Sequence, residues 1–350
     1  MARKNYREEK LDYSAAVKEL KARGPERLYL LWGPEDYLRE RYYAELRSMC
    51  VPDGDDSFSY RRLDGPELDA QALQNALDAP PFMSERSLVE LRGVDINRLK
   101  DSEQYLALLS DIPEYCTAVF IQSAEYEPDG RLKLVKSLRS LAREVKFTSQ
   151  PQGLLTGWIV KRFSALGKSI ELEAAQRLTF ISGELMSRLI PEIDKVAAYA
   201  QGDRVTVADV EAVANHIPEA EIFEMTDKIS AREYNAAASI LAELLKDKAN
   251  EPIPMLAMLG LQMRRLYAAR LAIDKDLGVK YVMESCAIKS NYVAKMLLSA
   301  ARGYTLPQLR RAVELCAETD YKMKSSSEND VELLKETVMR IAAGETDAQR

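Results

Sequence analysis

The chain has 350 residues, of which 47% are hydrophobic and 30% charged, and its formal net charge at pH 7 is −6. This composition is that of an ordinary globular protein, and the length predicts two or three domains. The negative charge argues against a protein that coats nucleic acid, and the apolar runs are shorter than the roughly 20 residues of a membrane span.

The N-terminal stretch MARKNYREEKLDYSAAVKEL passes from charged residues into an amphipathic helix pattern, without the apolar segment of a secretory signal, so we expect a cytoplasmic protein. Cysteines 50, 116, 286 and 316 lie far apart, and the single histidine is His216. Neither a zinc site nor a disulfide framework is indicated, and we predict no metal and no cofactor.

Strand and helix patterns alternate over the first 150 residues. The predicted strands are 28–32, 58–63, 87–91, 118–122 and 144–148, and the predicted helices between them are 35–49, 69–78, 102–110 and 131–142. Because strands such as LYLLW and AVFIQ are almost continuously apolar, they indicate a parallel five-stranded sheet with helices on both faces.

After residue 150 the strand patterns stop, and only helices are predicted. Their ranges are about 152–166, 171–181, 184–201, 206–215, 231–247, 252–274, 290–301, 305–323 and 329–343. The stretch IPEAEI interrupts them near residues 217–221 and suggests a seam. We therefore predict an α/β domain over 1–149, a small helical domain over 150–216 and a larger helical domain over 217–350.

The junction LYLLWGPEDYLRE has the strand, turn and helix order of a phosphate-binding loop. A functional Walker A loop needs G-x-x-x-x-G-K-[ST], because its glycines let backbone N–H groups wrap the phosphates, its lysine neutralises them and its hydroxyl holds magnesium. Counted from Gly33, these last three positions are Leu38, Arg39 and Glu40. The sequence predicts a degenerate loop that does not bind nucleotide.

The other parts of an ATP-hydrolysing site are also missing from the sequence. A Walker B strand ends in an acidic residue that holds magnesium. The strand SLVEL is instead followed by Arg92 and Gly93, and Asp95 is followed by Ile96. The arginine-finger triplet Ser-Arg-Cys does not occur in the chain. We therefore expect no catalytic site.

Four segments spread over nearly the whole chain form a recognisable set: LYLLWGPEDYLRE, APPFMSERSLVEL, GELMSRLIPEIDKVAAYA and ETDYKMKSSSENDVELLKETVMRIA. Together they resemble the delta subunit family of the bacterial DNA polymerase III clamp loader, an AAA+-like family. The resemblance implies an AAA+-like N-terminal domain, a small helical lid and an all-α C-terminal collar. Leu185 stands where the family often has an aspartate.

The stretch ALDAPPFMSERSLVEL holds the candidate binding site. The helix 69–78 must stop at Pro80 and Pro81, since proline lacks an N–H group and disfavours helix in the preceding residue. Phe82 and Met83 then lie either on an exposed tip or folded back into the core. In the delta family a hydrophobic pair at this position binds the sliding clamp, which assigns clamp binding to Pro81, Phe82 and Met83.

The resemblance implies a non-hydrolysing subunit of the DNA-directed DNA polymerase III complex that binds and opens the sliding clamp during replication. It also implies a place in the replisome at the nucleoid, with tau/gamma and delta-prime subunits bound through the collar. Three alternatives stay open: an AAA+ ATPase with a divergent phosphate loop, a delta-prime-like structural subunit, and a DNA-binding regulator.

Basic residues of the helical half are candidates for DNA contact, although most such charges belong to solvated helix faces. They are Arg264, Arg265, Arg270, Arg302, Arg310, Arg311, Lys322 and Lys324. A salt-dependent affinity for DNA would be the physical sign of phosphate contact.

Overall fold

The computed structural model describes residues 13–51, 56–65, 68–82, 84–99, 102–247 and 249–346. The chain forms two compact units. The first comprises Met1–Gln150 with the short segment Leu185–Ser187, and the second comprises Pro151–Glu184 with Arg188–Arg350. The three predicted domains, with boundaries at 149/150 and 216/217, stay a prediction.

The first unit is built on a five-stranded sheet. Its strands are β1 (Leu28–Trp32), β2 (Tyr60–Asp64), β3 (Ser87–Arg92), β4 (Cys116–Ile121) and β5 (Arg143–Lys146). All pairs are parallel, in the order β2-β3-β4-β1-β5. The three inner strands are buried almost throughout, as expected where helices cover both faces of a sheet. The predicted parallel α/β architecture is confirmed.

Six helices accompany this sheet among the described residues. They are α1 (Tyr13–Arg23), α2 (Asp36–Cys50), α3 (Asp56–Ser59), α4 (Ala70–Asp78), α5 (Ser102–Ser110) and α6 (Lys133–Leu141). Helices α4, α5 and α6 share one apolar core with the sheet residues Leu30 and Phe120. Helix α2 covers the opposite face, where Tyr42 packs against Tyr29 with ring centroids 6.4 Å apart.

The predicted start of the second strand at residue 58 is wrong. Phe58 lies in the short helix α3, and the strand begins only at Tyr60. The stretch SFSYRRL alternates aromatic and polar residues, which is typical of a strand. Ser59 nevertheless forms a hydrogen bond with Phe82 in a distant loop, and the chain pairs with β3 only from Tyr60 onward. Tertiary contacts therefore override the local pattern here.

The second unit consists mainly of helices. They are α7 (Gln152–Ala165), α8 (Leu172–Ser182), α9 (Met186–Tyr199), α10 (Val207–Val213), α11 (Pro218–Ser230), α12 (Tyr234–Lys246), α13 (Pro252–Asp274), α14 (Gly278–Ser285), α15 (Asn291–Ala300), α16 (Leu306–Ser325) and α17 (Asp330–Ala342). The first two residues of α9, Met186 and Ser187, cluster with the first unit. In the described part of the chain, no helix is long and apolar enough to cross a membrane.

The prediction that this half contains helices only is wrong in one respect. Strands β6 (Ser169–Ile170) and β7 (Arg204–Val205) form a small parallel sheet. Two residues are too few for an alternating pattern, so periodicity cannot reveal such strands.

Two helices of this unit were not predicted. Helix α11 includes most of the stretch IPEAEI, which was predicted to interrupt the helices. Helix α14 lies in a segment for which no element was predicted. Pro218 is the first residue of α11, where its missing N–H group costs nothing. The break is therefore confined to the residues between α10 and α11.

The long helix α13 lies at the centre of the second unit. Its residues Met255, Leu256, Leu259, Met263 and Leu266 are buried in one core that also includes apolar residues of α16 and α17. Apolar residues at helical spacing along α13 therefore form core.

Candidate functional site

The loop between β1 and α2 requires glycine at position 33. Gly33 has a φ of +114°, and a Cβ atom there would lie 2.3 Å from the carbonyl oxygen of Phe147. The chain after β5 thus passes directly against the turn. The glycine that begins a phosphate-binding motif is retained here for a close approach between two backbone segments.

Groups that would wrap a phosphate are bonded within the protein. The N–H group of Glu35 donates to the carbonyl oxygen of Phe147 over 3.2 Å. Arg39, in place of the motif lysine, is 5% exposed and donates to the carbonyl oxygen of Gly33 (2.7 Å) and to the Asp36 carboxylate. Leu38 is buried. The loop is closed on itself at these positions.

Glu35 was not singled out from the sequence, yet its carboxylate is fully buried in this loop. One of its oxygens accepts the N–H group of Met186 over 2.9 Å. Met186 is the first residue of α9, so the carboxylate satisfies one of the unpaired donors at a helix N-terminus. Burial raises the pKa of Glu35 above its usual value. An internal carboxylate thus takes the role that an anionic ligand can play at a helix N-terminus.

Glu40, at the hydroxyl position of the motif, belongs to a network of charges and tyrosines. Its Oε1 lies 2.8 Å from Nη1 of Arg92, whose Nε donates to Glu90 over 2.5 Å. Glu90 also accepts hydrogen bonds from the hydroxyl groups of Tyr43 and Tyr60, each 2.5 Å long. Burial would raise the pKa of Glu90, but these donors outweigh it and lower the pKa.

Gly33, Leu38, Arg39 and Glu40 lie in one turn and the helix that follows it, and each contributes to the first unit's own packing. Among the described residues, no group of His, Cys, Asp or Glu side chains could hold a metal ion.

We expect replacement of Glu35 by glutamine to change how stability depends on pH. In the unfolded chain this carboxyl loses its proton near the ordinary value of 4.5, whereas in the folded protein it does so at higher pH. The folded state therefore holds the extra proton, and the wild type loses stability relative to Glu35→Gln as pH rises through this window. Urea unfolding of both proteins between about pH 4 and 7 measures the difference.

The control for this prediction is Glu114→Gln, because the Glu114 side chain is 89% exposed. This variant controls for the loss of one carboxylate charge at the surface. If the stability of wild type and of Glu35→Gln changes with pH in parallel, burial does not raise the pKa of Glu35 in the folded protein.

The second candidate site is the tip that follows α4. This helix ends at Asp78, and Ala79 leaves it with extended backbone angles. Phe82 is 60% exposed and Pro81 is half-buried. Met83, the third predicted site residue, lies outside the described residues. Of the two positions open from the sequence, the Phe82 side chain adopts the exposed one.

The backbone of Phe82 is held by a single hydroxyl group. Ser59 is buried, and its Oγ lies 2.9 Å from both the nitrogen and the carbonyl oxygen of Phe82. The Ser84 hydroxyl lies 2.7 Å from the same Oγ. Ser59 accepts the N–H hydrogen bond and can donate its own proton to the carbonyl. The tip is therefore tied to the end of α3 while its aromatic ring stays in solvent.

Phe58, which the sequence did not single out, lies beside Phe82 at the tip. It is 59% exposed, and its ring centroid lies 5.2 Å from that of Phe82 with the ring planes tilted by 53°. Within the described part of the first unit, the only other large exposed hydrophobic residue is Leu141. No spacing rule joins Phe58 to Phe82, because Phe58 lies in α3 and Phe82 in the loop after α4, and only the fold brings them together.

Among the basic residues considered for DNA contact, Arg311 is 1% exposed and cannot reach a phosphate. Its guanidinium binds Glu318 (Nη1–Oε1 2.8 Å) and Glu345 (Nη2–Oε1 3.1 Å). Three other candidates form ion pairs, which are Arg270 with Asp274, Arg310 with Glu314 and Lys324 with Asp320. Arg264, Arg302 and Lys322 are exposed.

Comparison with known proteins gives consistent matches along the chain. The family model described as DNA polymerase III, delta subunit, matches residues 29–148, and the model of the DNA polymerase III delta subunit, C-terminal domain, matches residues 219–341. The DNA polymerase III subunit delta of Bacillus subtilis (strain 168) is 28% identical over 320 residues, covering 88% of this chain and 90% of that protein.

A second relative and a solved structure were also found. The "Probable DNA polymerase III subunit delta" of Aquifex aeolicus (strain VF5) is 21% identical over 321 residues, covering 89% of this chain and 90% of that protein. The structure of the Bacillus subtilis DNA clamp loader delta protein matches with a TM-score of 0.48 at 23% identity, covering 95% of this chain and 100% of that chain.

Proposed function

The chain belongs to the family of DNA polymerase III delta subunits, and on this premise we propose that it is the clamp-loader subunit that binds and opens the sliding clamp. The observation that carries the proposal is the exposed ring of Phe82 on an anchored backbone. An aromatic side chain held out from a rigid base is a typical interface anchor. Pro81 and Met83 are proposed to flank this anchor.

Opening follows from differential binding. A ligand shifts an equilibrium between two conformations only by the difference of its affinities for them. We propose that the tip binds next to a contact between clamp subunits and fits the open clamp better than the closed one. Other loader subunits bind the ATP that supplies energy for the cycle. These subunits control when the tip is accessible.

The remaining partners are proposed to bind through the helical second unit. The tau/gamma and delta-prime subunits would contact its C-terminal helices, which carry the exposed side chains of Tyr321 and Met339. Direct DNA contact within the assembled loader would involve exposed cations such as Arg264, Arg302 and Lys322. The protein would work at the replisome on the nucleoid, in the cytoplasm.

The proposal includes that this subunit neither binds nor hydrolyses a nucleotide. Support comes from the loop after β1, whose Glu35 N–H group and Arg39 guanidinium are bonded to backbone carbonyls. We expect titration with ATP and magnesium to give no saturable binding and no phosphate release. An ATP-hydrolysing loader subunit is the positive control. Saturable, magnesium-dependent binding would instead favour an AAA+ ATPase with a divergent phosphate loop.

The experiment that tests clamp binding is an affinity measurement between the purified full-length chain and its cognate sliding clamp, with wild type compared with Phe82→Ala. A wild-type protein that does not bind the clamp would overturn the proposed function.

A further inference from the structure

The exposed apolar surface at the tip comes from two segments of the chain. Phe58 and Phe82 are 59% and 60% exposed, and their rings are in contact at a centroid separation of 5.2 Å. A tilted pair at this distance is a favourable aromatic arrangement. The free protein therefore presents the two rings as one apolar knob.

We propose that Phe58 is a second contact residue for the sliding clamp and inserts beside Phe82 into the same apolar cleft. This inference rests on the proposed function. Its geometric reason is proximity, since a cleft deep enough to cover the Phe82 ring meets the Phe58 ring at van der Waals distance. Leaving the Phe58 ring wet at the edge of that cleft would forgo apolar burial.

The backbone under both rings is anchored, so the knob is prepared for binding. Ser59, next to Phe58, bonds the N–H and carbonyl groups of Phe82. Tyr60 donates to the buried Glu90 over 2.5 Å, and its ring lies 4.5 Å from the guanidinium carbon of Arg47. Contact groups held in place before binding lose less conformational entropy on association.

The sliding clamp is proposed as the partner of Phe58 because this residue adjoins the proposed clamp-binding residues. Phe82 belongs to the segment assigned to clamp binding, and Phe58 extends that surface without a gap. The partner surface must be an apolar cleft wide enough for two rings, because a cleft that holds only one ring would leave the other at its rim.

Affinity for the purified cognate clamp tests the inference with three single variants. We expect Phe58→Ala to raise the Kd by at least about fivefold, which is within the range for truncating an interface side chain. Phe82→Ala reports on the proposed function itself. The control is Tyr234→Ala, which removes an aromatic side chain that is 48% exposed in the second unit and should leave the Kd unchanged.

Direct contact is tested separately, because loss of Phe58 could also act by releasing the Phe82 ring. In Phe58→Trp, we expect clamp addition to shift the added tryptophan's emission to shorter wavelength, after subtraction of the wild-type signal. In Tyr234→Trp we expect no shift.

The outcomes separate the two proposals. If Phe82→Ala weakens binding but Phe58→Ala does not, or if the Phe58→Trp emission stays unchanged, the second contact is refuted and the proposed function stands. If the wild type does not bind the clamp, both fail. If Phe58→Ala changes only self-association of the chain in sedimentation, the knob binds a second copy and the inference is overturned.

Discussion

Replacing Phe82 by alanine is expected to weaken binding of the sliding clamp by at least tenfold while leaving the thermal melt nearly unchanged. Truncation of an interface hot spot costs about 2–4 kcal/mol, and about 1.4 kcal/mol corresponds to tenfold in Kd. The ring is already 60% exposed in the free protein, so its loss removes little buried apolar area from the folded state. Affinity should fall without a matching loss of stability.

Two measurements are needed for this prediction: the Kd for the purified clamp, and the melting temperature of each variant alone. Pro81→Ala should have a smaller effect on affinity, because Pro81 is half-buried and offers less surface. Tyr234→Ala controls for loss of any exposed aromatic ring. An unchanged Kd for Phe82→Ala would remove the tip from the binding site, even if the protein binds the clamp elsewhere.

Replacing Gly33 by alanine is expected to destabilise the first unit by about 2–4 kcal/mol, through backbone strain and a steric clash. The φ of +114° is unfavourable for alanine, and the new Cβ would lie 2.3 Å from the carbonyl oxygen of Phe147. Relief of this clash requires movement of the loop or of the chain after β5. Either movement weakens the Glu35 N–H bond to Phe147.

Gly65 offers a matched control, because its φ is also +114° but a Cβ there meets nothing within 4 Å. Gly65→Ala should destabilise the protein only through backbone strain, by about 1–2 kcal/mol. Urea unfolding in a Trp158→Phe background measures both variants, since Trp32 beside Gly33 then reports on the first unit alone. Equal losses at the two positions would refute the close approach at Gly33.

The degenerate phosphate loop could be read from the sequence only as a set of missing groups. Leu38, Arg39 and Glu40 replace the residues that a phosphate and magnesium require, which spacing alone reveals. What these side chains do instead depends on partners from other elements. Arg92, the partner of Glu40, comes from β3, and no local pattern relates the two.

The sequence predicts that a tip follows α4, but it does not predict that the Phe82 side chain is exposed there. Two consecutive prolines end α4 by local chemistry, so the position of Phe82 after a helix end follows from the sequence. Its exposure does not, because the same residue could fold back into the core. The hydroxyl of Ser59 holds its backbone, and that partner was expected in a strand.

The sequence by itself determined the order of the five strands of the large sheet, their parallel arrangement and the loss of the phosphate-binding residues, because these depend on periodicity and on spacing within one segment. Only the tertiary structure decided which residues meet. The Glu35 carboxylate accepts an N–H group 151 positions away, and Phe58 of α3 contacts Phe82 in the loop after α4. Packing of whole helices and strands sets such contacts, and a pattern of neighbours along the chain carries no record of them.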